Sequence, residues 1–221
     1  MSKFLASDIG PKDDLTRIPS FNSWSRRKLL VFHMETAKLD IESCLEMAEI
    51  PFISMEYDEG AIIKKIEREA DKCFGIVITG SVDSRGTLPA VPTTLFEKDL
   101  PKIGVCYGYE ALGQYLGANL IYCNPPFGEK SEVIVTLKKS LLFEGLDISE
   151  PTMVTMAHEF TLDKVPPGCC LIASTELSPV AGFECLDKGI FGLQFHPEKG
   201  WMGDIIFKNF FNFCVKQNKL K

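Results

Sequence analysis

The chain has little that would tie it to a metal, a membrane or a nucleic acid. Only 3 histidines and 2 tryptophans occur in its 221 residues, and none of its 8 cysteines stands in a C-x-x-C pair, so a zinc ribbon or dithiol redox motif is not indicated. Scattered cysteines with no leader-like N-terminus predict a reducing, cytoplasmic setting rather than a disulfide framework. Basic residues are outnumbered, 24 Lys and Arg against 30 Asp and Glu for a formal net charge of -6, and are not interleaved with aromatics, which disfavours a nucleic-acid surface. Apolar runs such as Phe74 to Ile78 are strand-sized, far short of the roughly 20 residues that span a bilayer. There is no Walker-type loop and no internal repeat, so the chain is not expected to bind ATP by itself, and nothing in it requires a cofactor.

What is present is a core-forming composition, 45% hydrophobic and 24% charged, enough for one domain. Residues 1–27 lack periodicity and read as an N-terminal extension; the domain is expected over 28–221. Strand-like runs then alternate with helical patterns: Leu29 to Met34, a helix near Ala37 to Glu49, Phe52 to Met55, a helix near Ala61 to Ala70, and Phe74 to Ile78 as a strand buried on both faces. Such alternation predicts a parallel sheet. After Lys102 to Cys106 and a helix from Tyr109 to Leu116 the pattern changes. Glu132 to Leu137, Thr152 to Ala157, Cys169 to Ser174, Val180 to Cys185 and Ile190 to Phe195 read as mostly antiparallel strands, with a last helix near Gly200 to Gln217.

The most informative segment is Gly104-Val105-Cys106-Tyr107-Gly108, at a strand-to-helix turn. Such a turn holds one side chain at its tip, small residues on either side make room for it, and a helix N-terminus favours a thiolate. Alone, the pattern fits an inert strand-end thiol equally well, since cysteine is often buried. A base is offered by Gly192-Leu193-Gln194-Phe195-His196-Pro197-Glu198. Residues two apart in an extended segment point the same way, so His196 and Glu198 can serve one site, the imidazole taking the thiol proton and the carboxylate orienting the ring. The competing account is a surface turn after an edge strand.

Together the two motifs resemble the class I (triad) glutamine amidotransferases. Within that family the chain most resembles the glutaminase part of GMP synthetase, through Tyr107, Met156-Ala157-His158, Val165-Pro166-Pro167-Gly168, Ile172-Ala173-Ser174-Thr175 and Ser178-Pro179-Val180-Ala181. The resemblance covers about residues 28 to 213. It implies a three-layer α/β fold: an open, mostly parallel sheet with helices on both faces and additional antiparallel strands. It also implies hydrolysis of the glutamine side-chain amide through a thioester, with Cys106 as nucleophile, His196 as base and Glu198 as its orienter. The oxyanion donors would be the N–H of Tyr107 and one from Gly80 or Ser81. The ammonia would pass to a separate ATP-dependent synthetase, most readily for amination of XMP to GMP. Alternatives are a stand-alone γ-glutamyl hydrolase or peptidase, and a degenerate, non-catalytic regulatory module.

Two positions depart from the family pattern. Glu110 stands where the family has Gln, and an ionised carboxylate near Cys106 would oppose a developing thiolate. His158 is followed by Glu159 where the family has Gly, which places a Cβ and a charge on a substrate-facing loop. Thr79-Gly80-Ser81-Val82-Asp83-Ser84 superficially resembles a pyrophosphate loop, but Pro89 and Pro92 oppose an immediate helix, and it reads as the oxyanion turn, from whose following loop Arg85 could reach in as a compensating cation. Adjacent Cys169 and Cys170 suggest neither a metal site nor a simple disulfide, His33 reads as a core or rim histidine, and Phe207, Phe210, Phe211 and Phe213 as packing of the last helix.

Overall fold

The computed structural model describes residues 28–34, 38–56, 68–70, 72–81, 91–123 and 131–219. Expectations for residues 1–27, for Arg85 and for most of the helix near 61–70 therefore lie outside the described residues.

In chain order the elements are β1 (Lys28–His33), α1 (Lys38–Met47), β2 (Phe52–Glu56), β3 (Cys73–Ile78), α2 (Thr93–Glu97), β4 (Lys102–Val105) and α3 (Tyr107–Tyr115). They continue with β5 (Leu120–Tyr122), β6 (Ser131–Leu137), β7 (Thr152–Met156), β8 (Phe160–Leu162), β9 (Cys170–Ser174), β10 (Gly182–Cys185), β11 (Ile190–Leu193) and α4 (Gly203–Lys219). Short 3-10 turns occupy Leu141–Phe143, Leu186–Lys188 and Pro197–Lys199.

Among the described residues nine strands form one sheet in the order β2-β1-β3-β4-β11-β10-β9-β6-β7. Its first five strands run parallel, and β10, β9, β6 and β7 extend it antiparallel. Alternation within strands divides the apolar residues between two faces. Leu29, Val31, Val77, Ile103, Val105, Phe191 and Leu193 pack with Ile41 and Leu45 of α1 and Ile206, Phe207 and Phe210 of α4. Leu30, Phe32, Ile76 and Ile78 pack on the other face with Leu95 of α2 and Tyr109 and Leu112 of α3. The result is the expected three-layer α/β architecture, with β3 buried along its whole length.

A small second sheet, β5 paired antiparallel with β8, was not anticipated, and neither was the parallel pairing of β11 with β4. That parallel pairing sets Val105 opposite Leu193, while Gly104 lies opposite Ile78 of β3. Three adjacent strands thus release their C-terminal residues at one edge, the place where open α/β sheets form crevices. Among the described residues no helix is long and apolar enough to cross a membrane.

Candidate active site

Cys106 occupies the single step between β4 and α3 with φ 52 and ψ -107, left-handed backbone on a residue that carries a side chain. Such strain persists only where the surroundings impose it. Two glycines supply the space. A Cβ on Gly104 would collide with the Gly108 backbone, and one on Gly108 with the carbonyl of Ile78. The turn is fastened from β11 by a hydrogen bond from Cys106 N–H to the Leu193 carbonyl, 2.8 Å, and α3 starts with Glu110 N–H donating to the Cys106 carbonyl, 3.1 Å.

His196 arrives from the next strand. Gln194 N–H donates to the Ala181 carbonyl and His196 N–H to that of Thr155, each at 2.9 Å, so the segment after β11 is held by backbone on both sides. Pro197 opens a 3-10 turn that folds Glu198 back under the ring, where its Oε1 lies 2.7 Å from His196 Nδ1. Both side chains are buried, at 7% and 1% exposure. Burial alone would push the imidazole pKa down. Hydrogen bonds with the Cys106 thiol and the Glu198 carboxylate, together with their charges, outweigh burial and raise it to about 10. Cys106, His196 and Glu198 thus lie together at this edge of the sheet, with Cys106 itself 4% exposed.

Gly80, just past β3, lies against this pair: a Cβ there would stand 3.2 Å from both Cys106 Cβ and His196 Cε1. Ser81 follows, half-buried, and Tyr107 is half-buried at the first turn of α3. Glu110 is 1% exposed and accepts a hydrogen bond from Gln194 Nε2 at 3.2 Å, so its carboxylate is engaged by the strand segment that carries His196. His158 is buried with Nε2 3.1 Å from Ser178 Oγ. Glu159 turns its side chain to solvent while its carbonyl accepts from Cys123 N–H at 2.8 Å.

One close neighbour of the sulfur carried no sequence signal. The Cys106 thiol donates to the carbonyl of Ala157, 3.6 Å, a backbone contact that any residue could make. Gln194 lay within the His196 motif without a role, and the Glu110 substitution was the clue that something must answer a buried carboxylate. Outside His196, a groove of about 260 Å³ is bounded by Met153, Thr155, Pro197, Lys199 and Trp201.

Residues 34–213 match the family described as Glutamine amidotransferase class-I. Among curated relatives, a GMP synthase [glutamine-hydrolyzing] from Clostridium botulinum (strain Kyoto / Type A2) is 35% identical over 158 residues, 69% of this chain and 30% of the relative. Its counterpart from Lachnospira eligens is 36% identical over 126 residues, 56% of this chain and 24% of the relative. The chain therefore spans less than a third of the length of these relatives. In fold it is similar to a crystal structure described as that of a GMP synthase subunit from Thermoplasma acidophilum, with TM-score 0.71 and 21% identity over 87% of this chain and 97% of that one. It is also similar to PurLQS from Thermotoga maritima, with TM-score 0.65 and 16% identity over 88% and 99%.

Proposed function

This chain belongs to the class-I glutamine amidotransferases, and on that premise we propose that it hydrolyses the side-chain amide of glutamine through a thioester on Cys106 and delivers the ammonia to a separate synthetase. The observation that carries the proposal is the convergence of a strained Cys106 with His196, whose ring is anchored by Glu198 at 2.7 Å.

In this reaction the Cys106 thiolate attacks the amide carbon, and the negative charge moves to the carbonyl oxygen. The N–H of Tyr107 and that of Gly80 or Ser81 receive it. An imidazolium that holds its proton well past neutrality is suited to protonate the departing nitrogen, giving ammonia and the thioester. His196 then takes a proton from water, hydroxide attacks the thioester carbon, and glutamate leaves as the thiolate is restored. Glu198 stabilises the charged ring throughout. His158 and Glu159 belong to the loop expected to flank the substrate.

The names of the relatives favour GMP synthesis from XMP as the use of the ammonia, with a separate ATP-dependent synthetase as partner. Mass spectrometry after incubation with a glutamine-like chloroketone or diazoketone tests the chemistry: a covalent adduct on Cys106, absent from Cys106→Ser, is the expected result. Glutamine hydrolysis measured with and without an ATP-pyrophosphatase partner tests the route.

A second reading has its own observation. A charged residue type in place of Gln, buried at Glu110 and bound to Gln194, alters the chemistry beside the nucleophile. If the wild type forms no adduct, the chain is a regulatory module; rapid partner-independent cleavage of γ-glutamyl peptides would instead make it a γ-glutamyl hydrolase.

A further inference from the structure

The edge of the sheet opposite Cys106 carries a pair of thiols, Cys169 and Cys185. In the antiparallel β9–β10 ladder Glu184 lies opposite Cys170; carrying that register one residue past the start of β9 sets Cys185 against Cys169. Directly opposed residues in such a ladder have Cα atoms about 4.5–5.5 Å apart, inside the range of about 4.4–6.8 Å that a disulfide accepts. Both residues pack in one apolar cluster, Cys185 buried in it and Cys169 partly buried against it. Each also reaches a carbonyl of the preceding turn, Cys185 Sγ to Gly168 at 3.4 Å and Cys169 Sγ to Pro167 at 3.9 Å. Strand alternation sends Cys170 to the other face, where it is exposed. All three are free thiols, and among the described residues no group of three or more His, Cys, Asp or Glu is placed to hold a metal.

We propose that Cys169 and Cys185 are a reversible cross-strand modification site, a dithiol that a low-molecular-weight disulfide such as oxidised glutathione converts to an internal disulfide. The Cys169 thiolate attacks one sulfur of oxidised glutathione, breaks its S–S bond and releases one glutathione thiolate, which takes up a proton. The Cys185 thiolate then attacks the Cys169 sulfur of the mixed disulfide and expels the second glutathione. Two protein thiols are oxidised and one disulfide is reduced. Burial and the neighbouring Cys185 hold the Cys169 thiol above its ordinary range, so little thiolate is present at neutral pH and closure is faster in alkaline solution. The bond would fasten the turn at Pro166–Cys169 to β10. Because Pro167 packs at 3.9 Å from the Cβ position of Gly117, the turn lies against the end of α3.

The test uses the whole chain, incubated with oxidised glutathione at mildly alkaline pH, blocked with iodoacetamide and digested. Cys169, Cys170 and Cys185 share the tryptic segment Val165–Lys188, and further cleavage after Glu176 and Glu184 leaves Cys185 attached to the rest only through sulfur. The expected product joins the peptide containing Cys169 to that containing Cys185. It persists in Cys170→Ser, is lost in Cys169→Ser and Cys185→Ser, and reverts with dithiothreitol. Closing a loop of about 16 residues should raise Tm by roughly 5–10 °C. A bond between Cys169 and Cys170, a link that needs Cys170, a glutathione adduct that never resolves, or thiols in the folded chain that stay reduced would each overturn the proposal.

Discussion

Gly80 separates Cys106 from His196 by no more than a missing methyl group, since a Cβ at that position would lie 3.2 Å from Cys106 Cβ and 3.2 Å from His196 Cε1. Gly80→Ala is accordingly expected to push the nucleophile and base apart by a few tenths of an ångström without disturbing the core. Glutaminase kcat should fall about 10- to 100-fold while Tm changes little. Steady-state kinetics beside a thermal melt check this, and unaltered kcat would show that the pair has slack.

Gly108→Ala acts on the fold. Its Cβ would meet the Ile78 carbonyl, and neither backbone can step aside without moving α3 off β3. A loss of about 3 kcal/mol is expected, read as a lower urea midpoint.

His196 gives a pH signature. Its pKa is raised to about 10 from an ordinary value near 6.5, so the folded chain binds a proton there that the unfolded chain releases. The stabilisation is complete below about 6.5 and is lost as pH rises through about 10. With 3 histidines in the chain, NMR can follow the ring directly, and Glu198→Gln should bring its titration down toward the ordinary value. The same substitution should lower glutaminase kcat by about 10²- to 10⁴-fold. A His196 midpoint that ignores Glu198→Gln would remove the carboxylate from the mechanism.

Glu110→Gln removes a carboxylate from the first turn of the nucleophile's helix and keeps a side chain that can still pair with Gln194. Faster alkylation of Cys106 by iodoacetamide at neutral pH is expected, measured against Glu110→Ala, which loses the pairing as well. Equal rates in wild type and Glu110→Gln would mean that the carboxylate does not act on the sulfur.

Motif and strand period made the central half of the sheet legible. β3 announces itself as six buried residues between polar breaks, and the glycines flanking Cys106 anticipate a backbone that only close contacts can impose. What escaped was carried by pairing rather than by pattern. β5 and β8 have three residues each, too few to show a period, and Ile121 and Tyr122 face solvent. The strand character of β11 was evident, but its parallel partner β4 is set by tertiary placement. Ala157 supplies a carbonyl to the sulfur, and backbone groups leave no trace in residue type.

The β4–β11 neighbourhood also orders events in time. Thiol and imidazole come from segments separated by most of the antiparallel strands, and Cys106 N–H is not fastened until Leu193 has docked. A chain emerging from the ribosome therefore exposes its cysteine long before it owns a base to activate it, and such long-range closure is among the slower steps of folding. Reactivity becomes a late product of assembly, withheld from every partly folded form that lacks its last strand.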